Sequence, residues 1–132
     1  MTLRGCFAVC AAGARALLLA AGAAALIAER IAARRVALTG YLGDPERGRA
    51  RFAAYGCPSC HETGGAVAGR VGPPLNDIGA RSYLAGRFPN IPGVMQQWIE
   101  HPQAMKPGTA MPDLGVGARD AGDIAAYLAT LR

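Results

Sequence analysis

Five consecutive residues, Cys57-Pro58-Ser59-Cys60-His61, restrict what this chain can fold into more than any other feature. On a helical turn Cys57 and Cys60 lie three apart and His61 follows four after Cys57, so all three side chains project from one face. Two thiols so placed can add to the two vinyl groups of a porphyrin while the imidazole meets the iron, and Cys-x-x-Cys-His is the motif of covalent haem attachment. The tether keeps an axial histidine against the metal without relying on burial alone. A small domain gains most from that arrangement.

The chain has 132 residues and four cysteines, and it changes character near Gly40 to Asp44. Residues 1–43 are Ala/Leu/Arg-rich and hold one acid, Glu29, whereas residues 44–132 form a mixed sequence punctuated by glycine and proline. The second part is one small domain that buries little apolar surface by itself, so a covalently held porphyrin would serve as the centre of its core. The expected cofactor is a single haem c, with its iron, held through two thioethers.

The net charge is +5 and the pI near 9.4, a balance that invites a nucleic-acid reading. Dividing the chain removes it. Arg4, Arg15, Arg30, Arg34 and Arg35 stand against Glu29 in residues 1–43, whereas residues 44–132 carry nine bases and eight acids. Two haem propionates would leave the folded part close to neutral, and no basic face or helix-turn-helix pattern appears, so no nucleic-acid partner is expected.

Met1 to Arg4 is a short basic start, and Ala16 to Ala28 is a run of thirteen residues without charge. Export signals have apolar cores of about 7–15 residues, while a membrane-spanning helix needs roughly 20. Ala23-Ala24-Ala25 and Leu26-Ile27-Ala28 offer small residues at cleavage spacing. Residues 1–43 are therefore read as a signal peptide, or as an N-terminal anchor plus linker in which residues 5–28 associate with the membrane despite Arg15. Arg30, Arg34 and Arg35 oppose the positive-inside rule for an exported C-terminus, but the haem motif outweighs them. Cys6 and Cys10 precede the apolar run and are read as passengers of the leader.

In residues 44–132, Asp44-Pro45-Glu46 is a helix start, with Asp44 as N-cap, Pro45 at the first helical position and an acid in the first turn. The helix should run to about Tyr55, where Gly56 stops it. Thr63 to Leu75 reads as loop. Pro92 to Glu100 places Val94, Met95, Trp98 and Ile99 on one helical face, and Pro102 ends that helix. A last helix over about Ala118 to Leu131 presents Ile124, Tyr127, Leu128 and Leu131. Strand signals are absent, and the expected fold class is all-α.

Over residues 44–132 the chain resembles the class I c-type cytochromes, a monohaem family with exported and membrane-anchored bacterial members. Gly48 and Phe52 on the first helix, with Ile124 and Tyr127 on the last, look like the family's crossed terminal helices, and all four are read as core packing. Gly72-Pro73-Pro74-Leu75 looks like its Gly-Pro-x-Leu loop. The resemblance implies that the Pro73 carbonyl accepts a hydrogen bond from the free imidazole nitrogen of His61, an interaction that orients the ring and raises its basicity. Lys106-Pro107-Gly108-Thr109-Ala110-Met111-Pro112 resembles the loop that presents the sixth ligand, which would be Met111, with Met95 and Met105 as rivals. A thioether favours ferrous iron, so His61/Met111 ligation raises the potential and closes the coordination sphere. The resemblance also places Trp98 beside the methionine and the porphyrin, and Arg81 near a propionate, with a solvated surface charge as the alternative for Arg81. Thr109 could donate to the other propionate, and His101 is read as solvent-facing.

These resemblances imply a periplasmic electron carrier, not an enzyme, moving single electrons by Fe(II)/Fe(III) cycling. It would be soluble after signal cleavage or tethered to the inner membrane facing the periplasm. The expected partners are redox proteins, a quinol-side or dehydrogenase-side donor and an oxidase or reductase acceptor, met by a monomer or by a subunit of a complex. The alternative is a haem domain with an open sixth site for small gases or peroxide. A Cys-x-x-Cys thiol oxidoreductase would need a βαβ pattern that the chain lacks, and structural zinc would need two more ligands where only His61 and His101 are available.

Overall fold

Residues 17–31, 40–64 and 71–132 are described by the structure, a computed structural model. The chain divides into two compact units, Met1–Leu38 and Thr39–Arg132. In the first, residues 17–31 form helix α1, which presents Leu17, Leu18, Leu19, Leu26 and Ile27 as exposed side chains. Among the described residues no helix is long and apolar enough to cross a membrane. The basic start at Met1–Arg4, Cys6, Cys10, Arg15 and Arg34-Arg35 lie outside the described residues.

The second unit begins with α2 (Pro45–Ala54). Its start follows the sequence: Asp44 Oδ1 accepts from the Glu46 and Arg47 amides at 2.9 and 3.1 Å, satisfying two N–H groups that the first turn leaves unpaired. Its end does too. Tyr55 caps the helix, and Gly56 at φ +73° takes the left-handed conformation that turns the chain into the 3-10 turn Cys57–Ser59.

Beyond the cysteines, residues 71–75 run alongside residues 60–62, with the Gly72 amide donating to the Cys60 carbonyl at 3.0 Å and the Leu75 amide to the Glu62 carbonyl at 2.8 Å. The described parts of Thr63–Leu75 are irregular, as expected; residues 65–70 lie outside the described residues. A 3-10 turn at Ile78–Ala80 follows. Next comes an antiparallel hairpin, β1 (Tyr83–Leu84) and β2 (Phe88–Pro89), with Tyr83 opposite Pro89 and Leu84 opposite Phe88. Its turn uses Ala85 at φ +49° and Gly86 at φ +68°. The remaining elements are α3 (Pro92–Glu100), α4 (Pro102–Met105) and α5 (Ala118–Leu128).

Apart from that hairpin, the regular elements described in the unit are all helical, in keeping with the all-α expectation. Three details differ from the sequence reading. Two-residue strands are too short to leave an alternating pattern. Pro102 ends α3 but also opens the extra turn α4, since proline suits a first helical position. Finally, α5 stops at Leu128 although apolar spacing continues to Leu131, which still packs against the core from an irregular end.

Helices α2 and α5 approach closely at Gly48, where an added Cβ would overlap the Asp123 carbonyl. Phe52 and Tyr127 pack one turn further on, ring centroids 5.6 Å apart and tilted by 60°. A polar clamp joins the same helices. Asp123, only 3% exposed, accepts from the Asp44 amide at 2.7 Å and from Arg47 Nε and Nη2 at 2.9 and 3.0 Å. Burial alone would push the Asp123 carboxyl up; the hydrogen bonds from Arg47 and Asp44 outweigh it and hold the group below the ordinary carboxylate range. Helix α3 packs on α5 as well, with Met95 and Ile99 inside.

Candidate functional site

The core of the second unit surrounds a cavity of about 560 Å³, within the range of roughly 300–1,000 Å³ that ligand pockets occupy. Phe52, Leu75, Ile78, Ile99, Ile124 and Leu128 belong at once to the buried core and to the cavity wall. The apolar side chains that α2, α3 and α5 turn inward therefore face a common space as well as one another.

The residues expected to hold the cofactor lie on that wall: Cys57, Cys60, His61, Pro73, Arg81, Trp98, Thr109 and Met111. The 3-10 turn accounts for the first three. The Cys60 and His61 amides both donate to the Cys57 carbonyl, at 3.2 and 3.0 Å, which winds the motif tightly enough to put two thiols and the imidazole against one space. No disulfide joins Cys57 and Cys60. Burial pushes the Cys57 thiol up, the reverse of the depression that a redox-active Cys-x-x-Cys uses to form its thiolate.

His61 is held from two sides. Its Nδ1 lies 2.8 Å from the Pro73 carbonyl; a carbonyl only accepts, so Nδ1 carries the proton and, in the neutral ring, Nε2 keeps its lone pair for a metal. Against the ring lies Gly72, where an added Cβ would run into Cε1, Nδ1 and Nε2. Glycine is thus needed at 72 for space, and Pro73 beside it for the acceptor.

Of the methionines weighed above, Met95 and Met111 line the cavity and Met105 does not. Met95 is 1% exposed, and its sulfur accepts from the Tyr41 hydroxyl at 3.6 Å, so it is fixed as part of the core. Met111 follows a turn in which the Thr109 amide donates to the Lys106 carbonyl at 3.1 Å, with Pro107 second and Gly108 at φ +78° third. That is the residue pattern of a type II turn.

Arg81 reaches the cavity, but its guanidinium is shared: Nη2 donates to the Pro74 carbonyl at 2.8 Å and to the Asp77 carboxylate. The Arg81 hydrogen bond holds the Asp77 carboxyl below its ordinary value, so the pair offers the cavity a guanidinium that already has a counter-charge. Trp98 packs on Phe88, centroids 5.8 Å apart. His101 is exposed beside Glu100 and is absent from the wall.

Two positioning groups escaped the sequence reading. Asn90 Nδ2 donates to the Ile78 and Arg81 carbonyls at 2.7 and 2.8 Å, fixing the segment that carries Arg81. Gln103 bonds the backbone of the loop that carries Met111. Neither has a sequence signal, because each acts on main-chain groups that any residue could supply.

Two thiols, an imidazole in the metal-binding tautomer and a thioether around an apolar cavity fit an iron porphyrin. No curated protein matches the sequence. Residues 45–132, more than half of the chain, match the family model described as Cytochrome c. The chain therefore belongs to the cytochrome c family, whose members carry covalently attached haem c and transfer electrons.

Proposed function

We propose that this family member is an exported monohaem carrier, tethered to haem through Cys57 and Cys60 and ligating iron with His61 Nε2 and Met111 Sδ. Bound haem iron supplies one-electron exchange between ferrous and ferric states. The protein's part is to hold two axial groups so that valence changes with little rearrangement and no vacant site opens. The observation that carries this reading is the His61–Pro73 hydrogen bond of 2.8 Å at a cavity whose wall also includes Met111. It assigns the proton to one ring nitrogen and leaves the other as a donor. Trp98 packs the wall, while Arg81 and Thr109 serve the propionates.

The partners fitting a near-neutral domain are redox proteins met by weak, quickly reversed association: a quinol-side or dehydrogenase-side donor and an oxidase or reductase acceptor. Export follows from the leader, either cleaved or kept as an inner-membrane tether. Expression through a periplasmic haem-maturation route tests the haem, its ligands and the leader together. Intact mass should show one haem and report the fate of the leader. The ferric spectrum should show a sulfur-to-iron charge-transfer band that Met111→Ala abolishes while lowering the potential. A variant with unchanged spectrum and potential would refute His/Met ligation.

A further inference from the structure

The loop before Met111 closes its own backbone with one turn bond, from the Thr109 amide to the Lys106 carbonyl. Three further backbone groups of this loop go to a single side chain. Gln103 Nε2 donates to the Thr109 carbonyl at 2.8 Å and to the Met111 carbonyl at 2.7 Å, and Gln103 Oε1 accepts from the Gly108 amide at 3.3 Å. The amide can be placed only one way round: turning it over would set its oxygen against two carbonyls and its NH₂ against an N–H. Gln103 is half-buried on α4, which is tied back by the Met105 and Lys106 amides donating to the His101 and Pro102 carbonyls at 3.1 and 2.9 Å.

We infer that Gln103 is the positioning residue for the sixth ligand, a brace that holds the Met111 loop closed over the cavity. This rests on the reading of Met111 as ligand. A thioether is a neutral, weak ligand on a side chain with three rotatable bonds. Its retention depends on how firmly the peptide behind it is fixed, and Gln103 bonds the carbonyl of that same residue. A hydrogen bond of ordinary net strength changes an equilibrium by about two- to twelvefold. Losing both donors and the acceptor should therefore raise the open fraction of the loop by about tenfold or more.

The test uses ferric holoprotein and cyanide, whose binding requires Met111 to leave the iron. Gln103→Leu keeps bulk without hydrogen bonds, and Gln103→Glu keeps length while offering no donor to the two carbonyls. Both should bind cyanide at least about tenfold faster than wild type and show a weakened charge-transfer band. Gly48→Ala is the control for general destabilisation, since its neighbours are Asp123 and Tyr127; it should leave the cyanide rate unchanged. In wild type, the Gln103 side-chain amide protons should exchange with solvent at least about tenfold more slowly than those of exposed Gln97, a measurement that needs no variant. Cyanide rates within twofold of wild type in either Gln103 variant, or equal exchange at Gln103 and Gln97, would overturn the inference. Failure of the Met111 reading shows itself separately, as a wild-type protein without the band or a Met111→Ala variant that keeps it.

Discussion

Gly72→Ala probes the packing that orients the His61 ring. The backbone at 72 is not in the left-handed region, so alanine meets no conformational obstacle there; the obstacle is the imidazole, which the new Cβ would overlap at three atoms. The ring must tilt or the 60–62/71–75 pairing must spread. Overpacking of this kind costs about 1–3 kcal/mol, and the Nδ1–H to Pro73 hydrogen bond of 2.8 Å is the first interaction to break. With His61 as the proposed iron ligand, that bond makes the imidazole more basic and so favours ferric iron over ferrous. If breaking it removes about 0.5–1.5 kcal/mol of that preference, the potential rises by about 20–65 mV, since a tenfold change is about 59 mV for one electron. Protein-film voltammetry reads the potential, and thermal unfolding of the holoprotein reads the stability. Gly93→Ala is the matched control: nothing lies within 4 Å of its added Cβ, and in the first turn of α3 alanine should be neutral or stabilising by up to about 1 kcal/mol. A Gly72→Ala holoprotein with the potential and stability of wild type would show that His61 is not pressed between Gly72 and Pro73, and the reasoning would fail.

Gly48→Ala should destabilise the holoprotein by about 1–3 kcal/mol, because the added methyl meets main chain on α5 and main chain cannot swing aside; denaturant unfolding checks it, and a loss below about 0.5 kcal/mol would place the helices further apart than described. Asp123→Asn should cost about 1–3 kcal/mol at neutral pH, since the charge that accepts from Arg47 and the Asp44 amide is removed. The native carboxyl lies below its ordinary value, so its stabilisation is complete above about pH 4 and fades as pH falls through the depressed native value. The gap in melting temperature between wild type and Asp123→Asn should then narrow only below about pH 4; a gap that stays constant into stronger acid would refute the assignment.

Legibility in this chain follows sequence distance. Asp44 caps amides two and three residues on, Gly56 turns the chain one residue before Cys57, and His61 reaches Pro73 across twelve residues. The first two relations were readable because residue type alone limits what the backbone can do there, and the third was implied by the resemblance of Gly72-Pro73-Pro74-Leu75 to a family loop. The Asp123 clamp was not readable: its partners Arg47 and Asp44 stand 76 and 79 positions away, and an acid beside an apolar helical stripe is an ordinary sight. Gln103 and Asn90 were invisible for a different reason, since they bond main-chain groups and leave no complementary side chain to search for. Leu131 shows the limit of periodicity. It keeps helical spacing with Leu128, yet its amide makes a turn bond to the Leu128 carbonyl at 3.1 Å and its own carbonyl accepts from Gly79 at 2.9 Å. Apolar spacing reports which side faces the core, whereas helix length is set by where the carbonyls find donors.

The same distinction governs the site. Phe52, Ile99, Ile124 and Leu128 obey the spacing of side chains that face neighbouring helices, and they also wall the cavity. Nothing in their pattern separates packing against another side chain from packing against a cofactor, because both demand an apolar surface of the same period. Only groups with chemistry of their own break the tie. Two thiols and an imidazole within five residues specify a porphyrin; Gly72 specifies that the imidazole passes close to the backbone; Met111 becomes meaningful only because a Pro-Gly turn brings it to the same wall. A carrier of this size thus has a core that is completed by its cofactor. It follows that substitutions along the cavity wall should disturb stability and potential together, whereas those where Gly48 meets Asp123 should disturb stability alone. Measuring both quantities on one variant from each set separates these two parts of the fold.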